Sequence, residues 1–370
     1  MKSYPYIEVS SVDALPSPAT GTNLIVHYAF QYIDFNQAVQ YAEENIFVDC
    51  CFFGCKFIPG QDRRLEACLV LPRMGMLFRA FNVSLYSGKT LYEGFDPDKP
   101  ETLETCFDGK VYADYLKHGQ SSDDLRVMLA RALHDHSIGD EMHDFLERYD
   151  RRDIVGIMGG HSLKRTDPMF RQIVYISKSL TEKGKLMVSG GGPGAMEATH
   201  LGAWMAGRDL GEVDDALSML SSAPTYQEDG WLSTAFKVCE KYPQRRYHSL
   251  GIPTWLYGHE PSTPFATEIA KFFDNSIRED RILSIAGGGI IFTPGSAGTL
   301  QEIFQSAAQN HYSTSGSPSP MVFLGTEYYT STVPVYLLLT DLVRRERYQN
   351  LQLSITDDPD EAINTLMEFN

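Results

Sequence analysis

Residues 289–304 read GIIFTPGSAGTLQEIF and hold two kinds of chemistry at once. An apolar run followed by Pro294, Gly295 and Gly298 describes a strand delivering a loop whose backbone N–H groups can meet a phosphate. The helix start behind it favours negative charge. Glu302 places a carboxylate close to that anion site. Thr299 and Glu302 also form T-x-x-E, the spacing of a helix capping box, in which the glutamate only completes the start of a helix. Both readings put Glu302 near a helix N-terminus, so they are compatible.

Two more glycine-rich loops follow predicted strands and precede predicted helices. MGGHS (158–162) comes after IVGIM, and SGGGPGAMEA (189–198) comes after KLMVS. Alone, a glycine turn between strand and helix is a tight connection, and MGGHS by itself reads as structural. Three such loops at the carboxyl edge of one sheet, where an open parallel sheet has its ligand crevice, read together as a nucleotide or sugar-phosphate site. The usual nucleotide motifs do not fit. From Gly190 and Gly192 the next glycine required by G-x-G-x-x-G falls on Ala195, and no acidic residue closes a strand about 20 residues on. There is no G-x4-G-K-[ST] either.

The elements that must position these loops alternate along the second part of the chain. Short apolar runs at IVGIM (154–158), KLMVSG (185–190), PTWLYG (253–258), GIIFT (289–293), PMVFLG (320–325) and LQLSI (351–355) are separated by helical patterns, as in parallel βαβ units. Asp167-Pro168 opens one helix. Ser262-Thr263-Pro264 opens another, with Phe265, Ile269, Phe272 and Phe273 on one face. Residues 1–150 are less legible: strand-like runs (NLIVHYAF, IFVDCCFFGCKF, EACLVL) and a helical tail describe a smaller mixed α/β N-terminal domain without an internal repeat. The predicted division is therefore 1–150 and 151–370.

Length and charge set outer bounds. With 370 residues there is room for two domains. Acidic residues outnumber basic ones 48 to 32, for a formal charge of -16, and the basic residues cluster only as single pairs such as Arg245-Arg246. Such a surface repels nucleic acid and anionic membranes, so neither is an expected partner. The start, MKSYPYIEVSSVDALPSP, has no apolar h-region, and no stretch approaches the roughly 18 apolar residues of a membrane span. A cytoplasmic protein is expected. Cys50, Cys51 and Cys55 lie in an apolar, strand-like run without the spacing of zinc ligands, which points to buried reduced thiols and no metal. His134, His136 and His143 read as residues of a solvated amphipathic helix.

SGGGPGAMEA followed by PGSAGTLQE resembles the LONELY GUY (LOG) family, formerly called lysine decarboxylases, over roughly residues 153–345. The wider group includes nucleotide 5′-monophosphate nucleosidases. The resemblance implies a Rossmann-like open parallel sheet with helices on both faces. It also implies a phosphoribohydrolase that cuts the N-glycosidic bond of a nucleoside 5′-monophosphate, releasing base and ribose 5-phosphate. No cofactor is needed for that reaction, and the assembly expected from the family is a homo-oligomer. By position, Gly295, Ser296, Ala297, Gly298 and Thr299 match the phosphate loop. Gly190, Gly191, Gly192, Gly194 and Met196 match the other loop, and Glu302 matches the catalytic glutamate. Ser296 stands where the family pattern has glycine, and a serine does not easily take φ > 0.

The family also places an arginine on the helix before the phosphate-loop strand. Arg278 and Arg281 share one helix face. A gapless alignment from Pro294-Gly295 lands on Glu279, so Arg278 is the first choice and Arg281 the second, with surface pairing to Glu279 or Asp280 as the alternative for both. Glu197 has two readings, contact with the base or a first-turn acid favoured by the helix dipole. A decarboxylase would want a Schiff-base lysine, and the glycine cores of the loops contain none. The rival class is a non-catalytic binding or carrier protein for a phosphorylated, nucleotide-like ligand.

Overall fold

The computed structural model describes residues 6–61, 65, 67–314 and 316–369. They form two compact units: Met1–Ser84 with Ser121–Glu141, and Leu85–Gln120 with Met142–Asn370.

The first unit is built from very short parallel strands: β1 (Ile7–Val9), β2 (Leu24–Val26), β3 (Tyr28–Gln31), β4 (Ile46–Val48), β5 (Cys51–Phe53) and β6 (Leu69–Leu71). They pair as β1-β3-β5-β6 and β2-β4. Ile25 pairs with Phe47 and Phe30 with Phe52, a constant offset of 22 residues. The left-handed residues repeat at the same offset, His27 with Asp49 and Tyr32 with Gly54. The unit is therefore a short solenoid, and the expectation of no internal repeat is corrected. Its core is a ladder of like side chains: Phe30 stacks on Phe52 at 5.0 Å and Phe35 on Phe57 at 6.0 Å between ring centroids. Each coil supplies what its neighbour cannot bury alone. The thiols belong to the same ladder, Cys50 donating to the Ile25 carbonyl at 3.4 Å and Cys55 to that of Phe30 at 3.3 Å. Burial pushes both up to about 11, so they stay protonated and unreactive near neutrality.

The second unit is an open sheet of seven parallel strands: β7 (Ile154–Met158), β8 (Leu186–Ser189), β9 (Ser249–Gly251), β10 (Glu268–Ile269), β11 (Ile290–Phe292), β12 (Pro320–Leu324) and β13 (Gln352–Thr356). Their order, β10-β9-β8-β7-β11-β12-β13, runs outward in one direction from β7 and in the other from β11. The switch point is the β7–β11 pair, and open sheets place their ligand crevice beyond such a pair. Val155, Ile157, Met187, Ile291 and Val322 share one core with the helices Pro168–Glu182, Ala195–Trp204 and Pro359–Glu368. Residues of opposite parity face the other side, where Gly156 leaves room for Ala286 at the end of the helix Asn275–Ile285. That helix is tied to the helix Ala297–Tyr312 by Gln301 donating to Glu279 at 2.8 Å.

Residues 85–120 belong to this second unit, unlike the division at residue 150 drawn from sequence texture. Tyr86 exchanges backbone hydrogen bonds with Ile269, and the buried Lys271 ammonium lies 2.7 Å from Asp108, which also accepts from the Trp255 indole. Two predicted elements are replaced. PTWLYG is a single 3-10 turn at Trp255–Tyr257 after the strand SLG, because Pro253 has no N–H for the ladder and Thr254 caps the turn. The helix expected after Pro264 is an extended passage containing β10, since Phe265, Ile269 and Phe272 are all buried and Glu268 and Ile269 pair with β9. The predicted start at Asp167-Pro168 holds: Asp167 accepts from the Met169 N–H at 2.8 Å.

Candidate functional site

The loops after β7, β8 and β11 are joined by backbone bonds. The Gly160 N–H donates to the Pro294 carbonyl at 3.2 Å, and the Ala195 N–H donates to the Gly160 carbonyl at 3.1 Å. MGGHS, which reads as structural alone, is the strut between the other two. Side chains do not fit at these crossings: a Cβ on Gly194 would lie 2.4 Å from the Gly160 oxygen, and one on Gly295 would lie 3.0 Å from the Gly160 nitrogen. Gly194 also has φ +69, a conformation glycine adopts freely.

The helix after the third loop begins at Ala297, with Ser296 as its N-cap. Ser296 has φ -101 and ψ -153, extended backbone that any residue adopts, so serine fits where the family pattern has glycine. The first N–H with a helical acceptor is that of Leu300, which reaches the Ser296 carbonyl at 3.1 Å. The amides of Ala297, Gly298 and Thr299 thus open the helix, and Gly298 has nothing within 4 Å of where a Cβ would stand. This is the geometry of an anion cradle. The Thr299 hydroxyl is folded back over Gly295.

This start removes the capping-box reading of Glu302. The N3 position is Thr299, and Glu302 lies three residues deeper in the helix. Glu302 is half-buried, and burial pushes its carboxyl up to about 7; Arg278 pulls it down more weakly and Glu279 adds to the rise. Glu302 makes no hydrogen bond or close ion pair among the described residues. Arg278 is the arginine the fold brings there. Its Nε donates to the Ile252 carbonyl at 2.9 Å, and its guanidinium lies where a Gly190 side chain would stand, 2.3 Å from that Cβ position. Met196 packs against the same loop, its Sδ 2.6 Å from a Gly190 Cβ position and its Cε 2.9 Å from that of Gly192. Arg281 instead lies over the Phe272 ring, 5.8 Å from its centroid, so the second-choice arginine is not part of this constellation.

Glu197 is a first-turn acid of the helix Ala195–Trp204, the second of its two readings, and it is buried. Its carboxylate receives Arg165 Nε at 2.9 Å and Nη2 at 2.5 Å, an internal pairing that does not leave it facing a base. The exposed Arg245 and Arg246 lie outside the site. His134 is buried 2.9 Å from Asp135 on an unbroken helix through Gly139, not on a solvated face.

Several supporting residues escaped sequence reasoning. The Gly191 N–H donates to Ser189 Oγ at 3.1 Å, and buried His200 bridges Ser189 and Ser249 at 2.8 and 2.9 Å. Burial holds His200 down to about 3, so it works as a neutral spacer. Tyr328 donates to the Gly295 carbonyl and Tyr329 to that of Thr293 at 2.7 Å, gripping the third loop from a π-helical turn at Tyr328–Thr332. Their signal was available: the tyrosines follow PMVFLG, at the same strand edge as the loops. A cleft of about 240 Å³ opens beside the second loop, lined by His161, Lys164, Pro193, Gly194, Tyr226 and Trp231 among others.

Residues 238–366 match the family described as possible lysine decarboxylase. The match takes in Arg278, the third glycine loop and Glu302, and begins after the second glycine loop. No curated protein sequence matches the chain. Among solved structures, the X-ray structure of TM1055, a structural genomics target, is 18% identical over 58% of this chain and 98% of its own, with a TM-score of 0.39. The molybdenum cofactor binding protein from the phototrophic bacterium Rippkaea orientalis is 13% identical over 58% of this chain and 96% of its own, with a TM-score of 0.35.

Proposed function

We propose that this chain, whose residues 238–366 match the family described as possible lysine decarboxylase, hydrolyses the N-glycosidic bond of a nucleoside 5′-monophosphate. The observation that carries the reading is the unsatisfied pair at the loop edge, Glu302 without a hydrogen bond and Arg278 with one. A carboxyl lifted to about 7 by burial is the kind of group found where chemistry requires a tuned acid or base.

In this reading the amides of residues 297–299 hold the 5′-phosphate, and its binding energy positions the ribose over Glu302. As the bond from C1′ to the base nitrogen breaks, its electron pair leaves with the base and the ribose takes on oxocarbenium character. The ionised Glu302 stabilises that cation. Water adds at C1′, a proton ends on the base, and ribose 5-phosphate is released. Arg278 keeps Glu302 more ionised than burial alone would and offers its remaining N–H groups to ribose or phosphate oxygens.

The test incubates purified protein with a panel of nucleoside 5′-monophosphates and the matching nucleosides, following free base by chromatography and ribose 5-phosphate by assay. Base release is expected from a monophosphate only, falling about 10²–10³-fold or more in Glu302→Ala. Tight binding of a monophosphate without turnover would instead identify a binding or carrier protein.

A further inference from the structure

At the opposite edge of the seven-stranded sheet, where β7, β11, β12 and β13 begin, lies a cavity of about 510 Å³. Its walls include Arg151, Arg152, Ser317 and Gln352, with Asp150 as the acid among them. The size falls within the range of small-molecule sites.

Arg151 is the informative residue. Its guanidinium passes between two glycines: a Cβ on Gly316 would stand 2.5 Å from Nη1, and one on Gly287 would stand 3.2 Å from Nε. One N–H donates to the Ser284 carbonyl at 2.9 Å, near the end of the helix Asn275–Ile285. That bond accounts for one of five donors. Among the described residues no carboxylate comes within ion-pair distance of Arg151 or Arg152. Asp150 is turned to the Arg152 backbone N–H, which it accepts at 2.9 Å. Burial weakens the Arg151 cation with nothing to offset it. A helix C-terminus needs a cation only for its carbonyls. It explains neither the cavity, nor the second arginine, nor the two positions where the backbone leaves room for the guanidinium.

We propose that this cavity is a second ligand site that takes the phosphate group of a small phosphorylated molecule, with Arg151 as the fork that receives it and Arg152 as the second cation. Planar guanidinium donors match phosphate oxygens in pairs, and the neutral Ser317 and Gln352 side chains supply further polar contacts at the rim. The site is independent of the catalytic reading, being built from other residues at the other edge of the sheet.

The experiment titrates inorganic pyrophosphate into the full-length protein by calorimetry. It uses the wild type and three variants: Gly295→Ala, which obstructs the loop after β11, Arg152→Met and Arg151→Met. The binding that reports on this cavity is the component that survives Gly295→Ala; it is expected to weaken about tenfold or more in Arg152→Met and to vanish in Arg151→Met. Thermal melts report whether Arg151→Met remains folded; if it does not, the exposed Arg152 decides. Binding that disappears in Gly295→Ala, or that neither arginine substitution changes, would overturn the proposal, as would a wild type that binds no pyrophosphate. Loss of nucleotide hydrolysis alone, with this binding intact, would count against the catalytic reading only.

Discussion

Glu197 and Glu302 both follow a glycine loop into a helix of the same sheet, and both have an arginine nearby. Around Glu197 every donor is spent. Arg165 uses Nε and Nη2 on the carboxylate, Nη1 on the Ala223 carbonyl at 3.0 Å and Thr234 Oγ1 at 2.8 Å, and its last N–H on the Trp231 carbonyl at 3.0 Å. The Trp231 ring lies 4.8 Å below the guanidinium. Around Glu302 almost nothing is spent. Arg278 makes one bond, to a carbonyl, and senses Glu302 electrostatically from beyond ion-pair distance. A saturated guanidinium holds architecture together, whereas an unsaturated one facing an unpaired carboxyl is a place for a ligand. Charge type does not separate the two cases. The count of donors does.

The comparison breaks most readily through stability. Removing one partner of a fully buried pair leaves an uncompensated charge, so Arg165→Ala is expected to lose about 3–5 kcal/mol in urea unfolding. Arg278→Ala, which gives up one hydrogen bond at a half-buried site, should lose about 1 kcal/mol while base release falls far more. Equal losses in the two variants would mean that Arg278 is as structural as Arg165.

A smaller effect sharpens the other partner. The Glu302 carboxyl is raised to about 7 in the fold, against the ordinary 4.5 when unfolded. Between those values the folded state holds more protons, so this group's contribution lowers stability as pH rises from about 4.5 to 7. Glu302→Gln should therefore be more stable than the wild type at pH 8, by an amount on the order of 2 kcal/mol once partial exposure is allowed for, with the difference gone at pH 4. On the proposed reaction the same ionisation should give base release a rising limb, with kcat/KM climbing about tenfold per pH unit below about 7. A wild type whose stability tracks the Gln variant across that range would show that Glu302 titrates normally.

How far the sequence reaches is visible in these same residues. The three loops and the strands that deliver them were legible because the signal is local, glycines after apolar runs, whereas Arg278 and Arg281 share one helix face and only the family alignment set Arg278 first. The Arg165–Glu197 pair was not, because its partners are 32 residues apart and nothing near Glu197 marks a buried cation. T-x-x-E was misleading as a cap because Ser296 starts the helix three residues earlier. In the first unit, Ile25, Phe30 and Phe35, and likewise Phe47, Phe52 and Phe57, recur every five residues, a spacing that fits neither the helical nor the strand period. Only the register between coils makes it a repeat.

The smallest expected effect separates stability from binding within one loop. Gly298 has no positive φ and open space around its Cβ direction, in the first turn of a helix. Gly298→Ala should therefore stabilise the fold by about 0.5–1 kcal/mol, since alanine restricts the unfolded chain at no steric cost. The same methyl would stand where an anion approaches the amides of residues 297–299, so monophosphate affinity should fall as stability rises. Gly295→Ala is the control, because its methyl would stand 2.1 Å from Thr299 Oγ1 and disturb the loop itself, lowering both. A Gly298→Ala protein that gains stability and binds the monophosphate as well as the wild type would move the phosphate away from this helix start and leave Glu302 and Arg278 facing a different ligand.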